Sequence, residues 1–188
     1  MVSQAIRLLS GARSQARRDV QHAVGRTFER LTDEGFVVLH HRHKPGSKSN
    51  IDHIVIGPQG VCVIEAEPYT GPLEIRATRS FVRPTYRQVF VKGRAQDKRV
   101  DGMERQLGWV RDAAGDLITR HQATLKAVLC FVGVDLGPNQ KPALVGDNDV
   151  IVTWPRRFVD DVSRQGPLSA EMVDALTRRI ATALPPAA

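Results

Sequence analysis

Three acidic side chains fall within one short stretch, Asn50–Gly71, which reads NIDHIVIGPQGVCVIEAEPYTG. Two apolar, β-branched runs, Ile51–Gly57 and Gly60–Ala66, flank a Gly57-Pro58-Gln59-Gly60 punctuation, the pattern of a β-hairpin. Pairing Gly57 with Gly60 sets Asp52 opposite Glu65, where Cβ atoms lie roughly 4.5–5.5 Å apart. The two-residue period of a strand then returns Glu67 to the face of Glu65, with Val61 and Val63 behind it. Carboxylates this close repel one another and resist desolvation. Such a cluster is relieved by a raised pKa, by a nearby base, by a divalent cation held through hard oxygen ligands, or by a solvated hairpin end where the acids face water.

Asp52, a short hairpin and then Glu65-Ala66-Glu67 resemble the Asp…Glu-x-Lys core of restriction-endonuclease-like nucleases. The wider wording resembles the nuclease-related domain (NERD) family: Pro45-Gly46, Asn50-Ile51-Asp52-His53, Gly57-Pro58, Gly60-Val61, Ile64-Glu65 and Tyr69-Thr70-Gly71. Val128–Val132 and Gly166-Pro167-Leu168 are similar to bacterial members, so the resemblance covers residues 15–186 as a single domain, with 1–14 as an N-terminal extension. It implies an α/β fold of the restriction-endonuclease-like kind, a central mixed β-sheet flanked by helices. It also implies that Asp52 and Glu65 bind Mg²⁺ (or Mn²⁺) in a metal-dependent DNA endonuclease or phosphodiesterase. The ion polarises the scissile phosphate and lowers the pKa of an attacking water. Glu67 stands where the family has lysine. It supplies no positive charge, but a carboxylate within reach of the water serves as a general base. Lys44 or Lys92 is a candidate for the missing cation, and Gln106 falls where the family has a glutamine near the active site. The family's first-helix acidic residue has two candidates here, Asp19 and Glu29.

A reading of a different class is a catalytically degenerate domain that binds nucleic acid, or a protein partner, without cutting. A lysine nitrogen beside the Asp52/Glu65 pair favours the enzyme. An arginine bridged across the two carboxylates favours the binding module.

Charge points the same way as the motif. The 188-residue chain carries a net +7. Between Arg76 and Arg99 eight basic residues stand against the single acid Asp97, so this one segment holds the whole excess. Arg79, Arg83, Arg87, Lys92 and Arg94, interleaved with Phe81, Tyr86 and Phe90, are candidate contacts to a phosphate backbone, as are Arg42, Lys44 and Lys48 in the basic loop before the hairpin. A solvated basic face is the plain alternative. His40, His41 and His43 suggest zinc, but no further ligand falls at the right spacing, and a strand sends His40 and His41 to opposite faces. Cys62 and Cys130 sit alone in apolar runs and read as inert core thiols of a cytoplasmic protein. No run approaches the 18 apolar residues of a membrane span.

The remaining pattern places these residues on elements. Val20, Val24, Phe28 and Leu31 recur at helical spacing over 14–31, and Gly35 closes that helix before a strand over Phe36–His41. After the hairpin, Leu73–Ala77 reads as a third strand and Arg79–Arg94 as a further hairpin. Val100, Met103, Leu107, Val110, Ala114 and Leu117 make one apolar stripe on a helix over 96–119. Leu125–Gly133 reads as a strand covered on both faces, Asp135–Gly146 as a loop and Val150–Trp154 as a strand. Pro155 opens a short helix through Val162, and Ser169 caps a last helix ending at Ala183.

Overall fold

The structure is a computed structural model describing residues 2–47, 50–78, 86–135, 141–147 and 149–187, with side chains from Gln15 onward save those of Thr78 and Asp135. In chain order it comprises α1 (Val2–Phe28), a 3₁₀ turn (Glu29–Glu34), β1 (Val37–His43), β2 (Asn50–Gly57), β3 (Gly60–Thr78), β4 (Tyr86–Val91), β5 (Arg94–Ala95), α2 (Asp97–Arg120), β6 (Thr124–Asp135), β7 (Ala143–Val145), β8 (Val150–Thr153), α3 (Pro155–Asp161) and α4 (Ala170–Ala183). The main sheet runs β1-β2-β3-β6-β8-β7. β1/β2, β2/β3 and β7/β8 are antiparallel, whereas β3/β6 and β6/β8 are parallel. Helices cover both faces, so the fold is the expected α/β type with a central mixed sheet.

Alternation along β3 divides the core. Val61 and Val63 point into the apolar layer that holds Met103, Leu107 and Val110 of α2 with Leu176 and Ile180 of α4. Ile64 and Ala66 point into the layer formed by Val24 and Phe28 of α1, Leu31 and Phe158 of α3. Glu65 and Glu67 continue the Val61/Val63 row to the end of the sheet, which places them toward α2. Gly60 makes the hairpin possible: its φ is +137°, and a Cβ there would meet Thr124 O at 2.1 Å.

Three expectations need correction. Leu73–Ala77 is not a separate strand, because β3 runs unbroken from Gly60 to Thr78 and absorbs its bend as a register shift between Pro68 and Gly71. Beyond that shift it leaves the main sheet to pair with β4. The loop expected over Asp135–Gly146 contains β7, three residues too short to carry a periodic signal. The helix expected over 14–31 is α1, which begins at Val2 and ends at Phe28, where the 3₁₀ turn takes over.

The chain's last residues return to β1, the sheet's edge. His43 N donates to Pro185 O at 2.7 Å, and Ala187 N donates to His41 O at 2.7 Å. Arg42 is buried beneath this tail. Its Nε donates to Leu184 O at 2.6 Å and its Nη2 to Ala181 O at 2.9 Å, satisfying carbonyls at the C-terminus of α4. That main-chain role replaces the phosphate contact expected of Arg42.

Candidate active site

The β2/β3 register pairs His53 with Ile64 and Gly57 with Gly60, the pairing that sets Asp52 beside Glu65. Asp52 is 2% exposed and held on three sides. Its Oδ2 accepts from the Ala66 N–H across the hairpin at 3.0 Å, and its Oδ1 accepts from Gln21 Nε2 of α1 at 2.6 Å. Arg17, one helical turn before Gln21, places Nη2 3.5 Å from Asp52 Oδ2 and 2.8 Å from Glu65 Oε1. One nitrogen between the two carboxyls keeps them within the diagonal-neighbour spacing of about 8 Å.

Glu65 is held from the other side by α2. Gln106 Nε2 donates to its Oε2 at 2.6 Å, while Gln106 Oε1 is buried without a hydrogen-bond partner. Glu67 shares the cations: Arg17 Nη1 lies 3.3 Å and Arg99 Nη1 2.6 Å from its Oε1. These are ion pairs without a directed hydrogen bond, so that buried oxygen remains unsatisfied in the hydrogen-bond sense. Arg99 also lies 3.4 Å from Glu65 Oε1.

Lys44, from the loop after β1, is buried against Trp109, with Nζ 5.8 Å from the ring centroid. Burial lowers its pKa, and the fields of Glu65 and Asp52 oppose that shift. Lys44, expected either as a phosphate contact or as the missing cation, lies in the field of Glu65 and Asp52.

The carboxyl groups do not share their charge equally. Burial pushes Glu67 up to about 8 against the pull of Arg17 and Arg99, and its hydrogen bond with Glu65 adds to the rise. Glu65 lies below its ordinary value because the hydrogen bonds from Arg17 and Glu67 outweigh its burial. Burial raises Asp52 despite Arg17. Near neutral pH, Glu67 therefore holds a proton that it shares with Glu65.

Behind Asp52 lies a group of histidines. His53 is fully buried, with Nδ1 2.8 Å from His40 Nδ1, and His40 Nε2 contacts Glu29 Oε1 at 2.9 Å. His41 takes a φ of +48°, which breaks the strict strand alternation, and both His40 and His41 rings lie beside His53, at 5.1 and 6.2 Å between centroids. The opposite-faces expectation is corrected by that one backbone angle. Glu29 is thus bound to this group, and exposed Asp19 bonds Gln15, so neither first-helix acid reaches the cluster. Gln21 and Arg17 do.

These buried groups give the stability a definite pH dependence. An acid whose folded pKa lies above its unfolded value stabilises the fold while protonated. Glu67's contribution is therefore lost as pH rises from its ordinary 4.5 through about 8. Burial holds His53 down to about 3 from 6.5, so its contribution is lost as pH falls through that range. Thermal melts between pH 4 and 9 are expected to show an alkaline decline that Glu67→Gln flattens and an acid decline that it leaves. An unchanged alkaline slope in that variant would refute the protonated Glu67.

Beside the cluster opens a groove of about 1100 Å³, lined by Arg17, Glu67, Tyr69, Lys92, Arg94 and Arg99 among others. Of the basic segment, Lys92, Arg94 and Arg99 line this groove, with Lys92 Nζ 3.0 Å from Thr70 Oγ1. Arg87 is exposed on β4 and is not among the groove residues. Lys48, Arg79 and Arg83 lie outside the described residues. The sequence reading missed Arg17 and Gln21. Their one available signal was a four-residue spacing off the apolar stripe of α1. Arg99 was counted in the basic segment and not placed at the acids.

Among the described residues no three His, Cys, Asp or Glu side chains are grouped as a metal shell. Mg²⁺, however, is usually held by one or two carboxylates with water and phosphate completing the set. Asp52 and Glu65 offer two such hard oxygens converging on one point, which the Arg17 nitrogen marks as a cation position. The orphaned Gln106 Oε1 is a further hard donor nearby. The residues fit the ion. Compared with known proteins, residues 16–132 match the family described as "nuclease-related domain". No curated protein and no solved structure matches.

Proposed function

The chain belongs to the nuclease-related domain (NERD) family, and from that premise we propose that it binds nucleic acid, DNA in the first instance, along the cationic groove and hydrolyses a phosphodiester at Asp52 and Glu65. The observation that carries the reading is the placement of Asp52 and Glu65 side by side at the sheet end, each held by its own amide donor, Gln21 and Gln106. When bound there, Mg²⁺ or Mn²⁺ supplies a Lewis acid for the phosphoryl oxygen and the attacking water. The protein's part is orientation and proton transfer. Gln21 and the Ala66 N–H fix Asp52, and Gln106 fixes Glu65. Glu67, bordering the groove, accepts the proton of the attacking water at a carboxylate oxygen. Arg94 and Lys92 give the phosphate backbone cationic partners, and Lys44 offsets the acids in place of the family's lysine.

One observation favours a second reading, binding without cleavage: Arg17 already bridges Asp52 and Glu65. A cleavage assay separates the two. Wild type with Mg²⁺ or Mn²⁺ is expected to cut DNA, and Asp52→Asn is expected to bind DNA with the same salt dependence but not cut. Salt-dependent binding by wild type with no cleavage in either ion would leave the binding module.

A further inference from the structure

Arg17 and Arg99 each belong to two environments. They line the groove, and they neutralise the acids beside it. Their side chains are 32% and 37% exposed, so each guanidinium keeps a face toward the groove while its nitrogens hold carboxylates. The acids already have cationic partners: Arg17 lies against Asp52, Glu65 and Glu67, and Arg99 against Glu65 and Glu67. A divalent ion arriving alone meets little negative potential, and Arg17 Nη2 occupies the point between the two ligands.

We infer that Arg17 and Arg99 are phosphate-binding residues that exchange partners: a backbone phosphate entering the groove draws them off the carboxylates and so opens the ion's place. A guanidinium fork matches phosphate oxygens as well as carboxylate oxygens. Arg17 lines the groove with its side chain partly exposed, so the exchange asks for movement of that side chain and not of α1. Its departure leaves Asp52 and Glu65 with an uncompensated charge, and the oxygens that faced the guanidinium then face an ion. Nucleic acid and ion therefore enter together. Each raises the other's affinity by the same factor, as linkage requires. The inference rests on the nuclease reading and adds to it an order of assembly and two substrate-binding residues.

Mn²⁺ and a phosphorothioate DNA duplex that resists cleavage test it, with binding and melting as the readouts. For wild type, Mn²⁺ alone is expected to shift the melting temperature little. With the duplex present, each is expected to tighten the other by a factor in the range of about 5–150. In Arg17→Gln, Mn²⁺ is expected to stabilise the protein without DNA, and the coupling to fall toward unity. Arg17→Lys, which keeps one positive charge with a shorter reach and less disturbance of folding, is expected to lie between them. Free wild type binding Mn²⁺ as tightly as Arg17→Gln would overturn the exchange and leave the metal-dependent reading intact. No Mn²⁺ binding by any form, with or without duplex, would overturn the metal-dependent reading itself.

Discussion

Glu67→Gln is expected to lower DNA cleavage by about 10²–10⁴-fold while DNA binding persists, the range for removing a general base. Glutamine keeps the shape and the contact with Arg99 but cannot take a proton from water. Because burial lifts Glu67 to about 8, wild-type activity is also expected to climb as pH rises through that value and the carboxyl gives up its proton. Glu67→Lys supplies the contrast. Where Glu67 is the base, lysine abolishes cleavage as glutamine does, and its charge crowds Arg17 and Arg99. Cleavage that rises in the lysine variant and is unchanged in the glutamine variant would instead assign Glu67 to loss of the family's lysine.

Phe28→Ala is expected to destabilise the protein by about 3–5 kcal/mol, the usual loss for emptying a buried aromatic site. For a domain of this size each kcal/mol moves the melting temperature by about 2–4 °C, so the shift is easily read. Phe28 is fully buried at the end of α1, edge-on to His53 at 5.5 Å and tilted against Phe158 at 5.1 Å. It ties α1 to β2 and α3 at once. Since Arg17 and Gln21 ride on the same helix, the variant is expected to lose Asp52-dependent functions at temperatures where it remains folded. A loss below about 1 kcal/mol, the level of a minor or surface change, would mean that α1 is not pinned there.

What the sequence disclosed and withheld follows from the range of each interaction. The hairpin register was readable because the Gly57–Gly60 turn fixes it locally, and strand period then places Glu67 without further information. The stripe on α2 was equally local, and its buried residues include Val100, Met103, Leu107, Val110 and Ala114. Gln106 was placed near the site by family wording, and the structure sets it on Glu65. Arg17 was invisible because no spacing rule connects it with Glu65. Only the packing of α1 across the sheet end brings the two together. Arg42 was misread for a related reason: a basic residue in a polar stretch looks solvated until a distant tail covers it. His41 was misread through one left-handed backbone angle, which is not encoded in a two-residue period.

The tail that covers Arg42 also occupies part of the sheet's edge. An edge strand with free N–H and C=O groups is a template for strand addition by a neighbour. Here the outer side of β1 is engaged by Pro185 O and the Ala187 N–H, and the bridge opposite Arg42 is made by Pro186. Proline has no N–H to donate, so Pro186 itself offers a further strand no donor at that position. Arg42, by holding Ala181 O and Leu184 O, keeps the end of α4 where that pairing can form. The same arginine that was expected to recruit a polyanion thus helps to keep residues 185–187 on the edge at His41–His43, where they take the place that another strand would need.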